Sequence, residues 1–292
     1  MAEAPGHRLG QIIGETLELA VGPVLADFAG KHGIYLDKHG PRPARSGKKV
    51  TWTDALNNKH DLDFVLERGG TDHKIGRPVA FIETAWRRYT KHSRNKAQEI
   101  QGAVLPLVAA HSRTKPFAGV VLAGVFTKGS LAQLESNGFG VLYAPYETIV
   151  AVFAQFGMDV DYDEDTPDEY LSTQTRVYDE LDEAKRAALG QALRVAVKSE
   201  VDEFIAKLSA AILRKISTIS VLPLYGKQTD YSSVGDAIRF LEMYVADQPV
   251  GELVRFEVIV RYDNDDRIVA EFSTVEAAVD FLRTFAPSSA GA

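Results

Sequence analysis

The stretch Ile82 to Gln101, IETAWRRYTKHSRNKAQEIQ, sets one carboxylate, Glu83, in an apolar segment just ahead of a dense cationic run. Upstream, HDLDFVLERGG carries Asp61 and Asp63 on a second short apolar segment. Two strands that each bear an acid, followed by basic residues opening a helix, supply what hydrolysis of a phosphodiester requires. The carboxylates suit a hard dication such as Mg²⁺, which offsets the charge developing at phosphorus, and the basic residues suit a polyanion. Mg²⁺ usually takes only one or two protein carboxylates, so Asp63 and Glu83 suffice as metal ligands with the Thr84 carbonyl beside them. Glu15 or Glu18 could add a further ligand or acceptor. Glu83 interrupts VAFIETAW, a segment otherwise suited to burial, and an acid there needs a partner or a metal. An ion pair with Arg87 or with a helix lysine is the plain alternative, and Asp61 and Asp63 equally fit the polar face of an edge strand.

The cationic run interleaves charge with rings. Arg87, Arg88, Tyr89, Lys91, His92, Ser93, Arg94 and Asn95 are the expected DNA-binding residues, because donors and ring faces suit both phosphate contacts and stacking. A solvated loop is the bland reading of the same residues, and Ser93, Asn95 and Gln98 also suit a helix cap. His60 and His92 are candidate general bases or ordinary surface histidines.

These residues must be held by a scaffold, and the hydrophobic pattern sketches one. Leu9, Ile12, Ile13, Leu17, Val21, Val24, Leu25 and Phe28 recur at helical spacing until Gly30 and Gly33 stop the helix. KHGPRPARSGKK then reads as a mobile basic arm. Val50 to Thr53 reads as a strand, and His60 to Leu66 as another, with Asp61, Asp63 and Glu67 on one face. Val79 to Trp86 is a third strand, in which Phe81, Glu83 and Ala85 share a face. A helix is expected from Ser93 to His111, a buried strand from Phe117 to Phe126, a helix around Ser130 to Glu135, and a strand from Phe139 to Tyr143. Strands covered by helices on both sides predict an α/β layer structure, the first three strands a meander and the later ones parallel.

MDVDYDEDTPDEY marks a boundary, after which Thr175 to Ile216 reads as one long helix. The rest reads as strand Ile219 to Leu224, helix Ser233 to Val245, strands Leu253 to Tyr262 and Arg267 to Phe272 joined by a DNDD turn, and helix Val275 to Phe285. This small α+β unit carries no metal or nucleophile signature, and its apolar faces suit dimerisation or packing. The expected division is 1–160 for a catalytic core, 166–216 for the long helical segment and 217–292 for the accessory unit.

Composition narrows the classes. The 292 residues include no cysteine, which removes disulfides, thiolate metal sites and cysteine nucleophiles. No stretch approaches a bilayer span and the N-terminus lacks an apolar leader, so a cytoplasmic enzyme with no membrane partner is expected. Net charge is -7, yet residues 1–150 hold 19 Lys+Arg against 14 Asp+Glu, leaving 14 against 26 for the remainder. The basic half is the half with the candidate site, as expected of a module that faces nucleic acid.

The order of elements around Asp63 and Glu83 resembles that of the PD-(D/E)XK, or restriction endonuclease-like, phosphodiesterases, over roughly residues 9 to 155. The resemblance makes Asp63 the first acid and Glu83 the second, and it implies a restriction endonuclease-like mixed sheet flanked by helices. Ala85 stands where that family carries lysine. In some members the amine comes from the following helix, which makes Lys96, or Lys91 before it, the candidate catalytic amine. The implied activity is that of a Mg²⁺-dependent endonuclease on double-stranded DNA, most like a type II restriction enzyme and working as a homodimer. The alternatives are a repair or methylation-dependent nuclease, or an inactive nucleic-acid-binding protein on the same fold.

Overall fold

A computed structural model describes residues 4–90, 93–224, 226–245 and 256–286. The chain divides into two units, Met1–His111 with Pro116–Ile212, and Ser112–Lys115 with Leu213–Ala292.

In the first unit a 27-residue helix, α1 (Pro5–Lys31), opens on a proline in its first turn and buries Leu9, Ile12, Ile13, Leu17, Val21, Leu25 and Phe28, the expected stripe. Next come β1 (Ile34–Lys38), β2 (Val50–Thr53), β3 (Lys59–Leu62), β4 (Phe64–Arg68) and β5 (Arg77–Arg87). They are followed by α2 (Ser93–Ala110), β6 (Phe117–Gly124), α3 (Lys128–Ser136), β7 (Phe139–Pro145) and α4 (Tyr146–Ala154). One sheet has the order β1-β4-β5-β6-β7, antiparallel across β1, β4 and β5 and parallel across β5, β6 and β7. This is a mixed α/β sheet flanked by helices. The interior strand β6, FAGVVLAG, is buried along its whole length, as a parallel strand covered on both faces must be.

Alternation assigns the two faces. Phe64, Leu66, Ala80, Ile82 and Trp86 pack with α1, whereas Val65, Phe81, Ala85, Val120 and Leu122 pack with Ala97, Ile100 and Val104 of α2. At the end of β6, Gly124 has φ +97°, and a Cβ there would lie 2.1 Å from the Arg87 carbonyl oxygen. Only glycine lets the chain turn so close to β5.

Four expectations change. His60 to Leu66 is not one strand: β3 pairs with β2 in a separate two-stranded sheet, β4 joins the main sheet, and Asp63 lies at the break between them. An uninterrupted alternating pattern cannot reveal that a strand changes sheets. The three-strand meander is therefore replaced by a β2–β3 hairpin and by the antiparallel run β1-β4-β5, in which β1 was not foreseen.

The basic loop is not a mobile arm either. Arg42 reaches Asp37 at 2.8 Å and Glu67 at 2.7 Å, all three nearly inaccessible, and it also donates to the carbonyls of Thr71 and Lys74. Arg45 pairs with Asp37 at 3.1 Å and caps the carbonyls of Lys38 and Gly40. Glu67, expected on a polar face, is the buried centre of this network and also accepts from Gly76 N.

Thr175 to Ile216 is not one helix but parts of three, α5 (Asp168–Asp179), α6 (Glu183–Ala196) and α7 (Lys198–Ile212). The Asp182 side chain accepts from Lys185 N and caps α6, and the chain breaks again at Val197, φ -114°. Leu171, Tyr178, Leu189, Leu193, Phe204 and Leu208 join the same core as α1. The helical period persists through both breaks, so it could not mark them.

The second unit contains β8 (Ile216–Pro223), β9 (Thr229–Tyr231), α8 (Val234–Met243), β10 (Phe256–Tyr262), β11 (Arg267–Phe272) and α9 (Val275–Arg283), with β9 unforeseen. The expected strand start at Leu253 lies outside the described residues. The sheet order is β11-β10-β8-β9, all antiparallel. One sheet face and both helices form an independent core around Phe256, Val258, Val260, Leu241 and Phe281. No described helix is long and apolar enough to cross a membrane.

Candidate functional site

Phe64 pairs with Ile82 across β4 and β5, so one step further along this antiparallel register Asp63 faces Glu83. The break after Leu62 frees the Asp63 carboxylate to turn into the main sheet. Its Oδ2 accepts from Thr84 N at 2.6 Å and from Thr84 Oγ1 at 2.8 Å. Glu83 lies within hydrogen-bond reach of Asp63. Glu83 belongs to the face that looks toward α2, as alternation along β5 expects, while the Asp63 carboxylate reaches the hydroxyl of Thr84, whose neighbours Ile82 and Trp86 pack with α1.

Burial pushes the Glu83 carboxyl up to about 8, and the nearby Asp63 charge adds to the effect, while Lys96 of α2 opposes it. Burial also pushes Glu18 of α1 up to about 7, again with the Asp63 charge contributing. Sequence left Glu15 and Glu18 equivalent. The structure separates them: Glu15 is bound to Arg8 at 2.9 Å and accepts from Tyr178 Oη at 3.2 Å, so Glu18 is the helix acid in the field of Asp63. Carboxylates that approach Asp63 from β5 and from α1 repel it, and one another, until a proton or a cation intervenes.

That donor set fits a divalent cation. Asp63 and Glu83 offer two hard oxygen donors, the number Mg²⁺ commonly takes from protein while keeping its waters. Among the described residues no group of three or more His, Asp or Glu side chains is gathered to hold a metal ion.

Asp61 does not join them. It is bound to Lys49 at 2.7 Å and Thr51 at 2.6 Å on the outer side of the β2–β3 hairpin. His60 is likewise engaged away from the pair, 3.1 Å from Asp54.

Beside the acids lies a cleft of about 610 Å³, lined among others by Gly10 and Gly14 of α1, Thr84 and Arg87 of β5, and Asn95 and Lys96 of α2. Thr84 belongs both to the cleft and to the Asp63 hydrogen bonds, while neither Asp63 nor Glu83 lines the cleft. Ala85 is buried in the cluster that holds Ala97 and Ile100 and also borders the cleft. Lys96, one turn into α2, is the described amine whose charge reaches Glu83. It also lies 3.4 Å from Glu99, which Arg87 approaches at 3.6 Å.

The expected DNA-binding run divides. Arg87, Asn95, Lys96 and Tyr89 line the cleft, and Arg94 is exposed. Arg88 also borders the cleft but is already engaged: its guanidinium stacks 4.1 Å from the Tyr146 ring centre, its Nε donates to the Tyr162 carbonyl, and it lies 3.7 Å from Asp161. Ser93 is fully buried and its hydroxyl donates to the Thr90 carbonyl, so it closes the helix start and presents nothing to a ligand. Lys91 and His92 lie outside the described residues.

No family model and no curated protein matches the sequence. A solved structure with some likeness is that of a protein of unknown function, AF1548, which is 12% identical, with 66% of this chain and 98% of that chain covered and a TM-score of 0.27.

Proposed function

We propose that the protein is a Mg²⁺-dependent endodeoxyribonuclease with a restriction endonuclease-like core, hydrolysing phosphodiester bonds of double-stranded DNA as a homodimer. The observation that carries this reading is the Asp63–Glu83 pair, set face to face across antiparallel strands, with a Glu83 carboxyl held near 8 and Lys96 acting on it from the next helix. Asp63 and Glu83 would hold a divalent cation, which would supply Lewis-acid stabilisation of the charge that develops at phosphorus. The chain's own residues do the remainder. Thr84 fixes the Asp63 carboxylate, Lys96 steadies the attacking water or the scissile phosphate, and Arg87, Arg94 and Asn95 bind the flanking backbone. The reading covers restriction, repair and modification-dependent cleavage alike.

Incubating purified protein with unmodified and methylated plasmid and phage DNA, in Mg²⁺ or in EDTA, tests it. Discrete Mg²⁺-dependent fragments are expected, with Glu83→Ala and Lys96→Ala each lowering the rate by roughly a hundredfold or more. The buried Ala85 favours a second reading, an inactive DNA-binding protein on the same fold. Salt-sensitive DNA binding with no cleavage of any substrate would select it over the nuclease.

A further inference from the structure

The second unit covers one face of its sheet with α8 and α9, and among its described residues no helix lies on the other face. Register sorts the residues of that open face into three rows. Glu257 stands opposite Glu271 on one side and Leu222 on the other. The next row holds Ile259 between Val269 and Ser220, and the third holds Arg261 between Arg267 and Thr218. The face is therefore acidic at one end, apolar in the middle and basic at the other.

Within a single sheet this arrangement is costly. Like charges directly opposite each other destabilise a strand pair, and here that occurs twice, at Glu257–Glu271 and at Arg261–Arg267. Val269 and Leu222 are also 48% and 37% exposed, large apolar side chains facing out of a sheet. A sheet that only needed solubility would alternate its charges across the pair. Segregated rows become favourable when the opposite pattern is laid over them.

A second copy of the same face supplies that pattern. A two-fold axis lying parallel to the sheet and perpendicular to its strands, through the Ile259 row, inverts the order of the rows. It lays Glu257 of one copy over Arg261 of the other and Glu271 over Arg267, four charge pairs around a central band of Ile259 and Val269. Sheets stack in this way at about 10 Å, a separation that long charged side chains span. Asp230, paired with Ser220 on the edge strand β9, accepts from Gln228 at 3.0 Å and lies in the field of Arg261, which offsets part of the like-charge cost of the basic row within one copy.

We infer that the open face of the β11-β10-β8-β9 sheet is an isologous homodimer interface whose register is set by the Glu257 and Arg261 rows. The interface does not depend on the reaction proposed for the first unit, and its test needs neither DNA nor metal. It gives the expected homodimer a location.

The test is the mass of the full chain in solution, by light scattering and sedimentation across a wide range of concentration, for wild type, Glu257→Arg and Arg261→Glu. Wild type is expected to dimerise. Each variant alone places like charges across the two-fold axis and is expected to be monomeric, with unchanged far-UV circular dichroism. The two variants mixed in equal amounts restore opposite charges at both Glu257–Arg261 crossings, so a heterodimer should form, as should a homodimer of the double variant Glu257→Arg/Arg261→Glu. A wild-type monomer throughout, a dimer that neither substitution disturbs, or variants that fail to recombine on mixing would each overturn the interface.

Discussion

At the scale of single residues, Glu83 concentrates the energetics of the candidate site. Its folded pKa of about 8 lies above the ordinary value of 4.5, so between those two pH values the folded chain binds a proton that the unfolded chain has released. Stability must then fall as pH rises through that window, and it stays low above pH 8. At about 1.4 kcal/mol for each pH unit, the effect is on the order of a few kcal/mol. Glu83→Gln, neutral at every pH, should leave stability near wild type at pH 5 and raise it at pH 8 in EDTA, as read by urea unfolding at the two pH values. A variant no more stable than wild type at pH 8 would mean that the carboxyl is ionised at little cost and that the crowding with Asp63 is weak. Tyr178 shows the same physics in a neutral-acid group: burial pushes it up to about 12, with Glu15 adding to the effect.

At the scale of elements, the chain between β1 and β5 is held by charge inside the protein. Arg42 is 4% exposed and holds Asp37 and Glu67, joining β1, β4 and the loop before β5 that carries Thr71 and Lys74. Glu67 precedes the turn at Gly69, φ +73°, and has no room to withdraw: a Cβ on Gly70 would meet Glu67 Oε2 at 2.4 Å. Removing one partner from such a network leaves the others charged, buried and unpaired. Arg42→Ala should therefore cost roughly 3–5 kcal/mol by denaturant titration, while Arg45→Ala, whose side chain borders solvent, costs less. Equal and small losses would show that water enters the network readily. Because β4 leads out of Asp63 and pairs with β5, the same loosening is expected to lower the rate of the proposed cleavage in parallel with stability.

At the scale of the whole molecule, two cores divide the chain. The second unit builds its own from Ile219, Val221, Leu241, Phe256, Val258, Val260, Phe281 and Leu282, all fully buried without a residue of the first. Residues 213–292 expressed alone should accordingly unfold cooperatively, with a midpoint lowered by the loss of the Arg214 hydrogen bond to the Thr114 carbonyl and of the Lys115–Asp266 ion pair. A non-cooperative melt by circular dichroism would show that the unit depends on the rest of the chain. Charge is divided in the same sense as in the sequence: the basic cleft residues and the acid pair belong to the first unit, and the dipolar sheet face belongs to the second.

Much of this was legible before any coordinates. Period two placed Glu83 on the face shared by Phe81 and Ala85, period 3.6 gave the buried stripe of α1, and the apolar run Phe117 to Phe126 announced a buried strand, because burial imposes these periods directly on residue type. Arg267–Phe272 matches its expected bounds. What the pattern lacks is any record of partners. Alternation through Asp63 continues unbroken although the chain leaves one sheet for another there, helical spacing continues across Asp182 and Val197, and arginines that pair inside the protein spell the same letters as arginines that face water. Tertiary structure decided those points, since hydrogen-bond partners and buried ion pairs depend on which segments meet. It thereby brought Asp63 to Glu83, chose Glu18 over Glu15, and took Arg42, Arg88 and Ser93 out of the set available to a ligand.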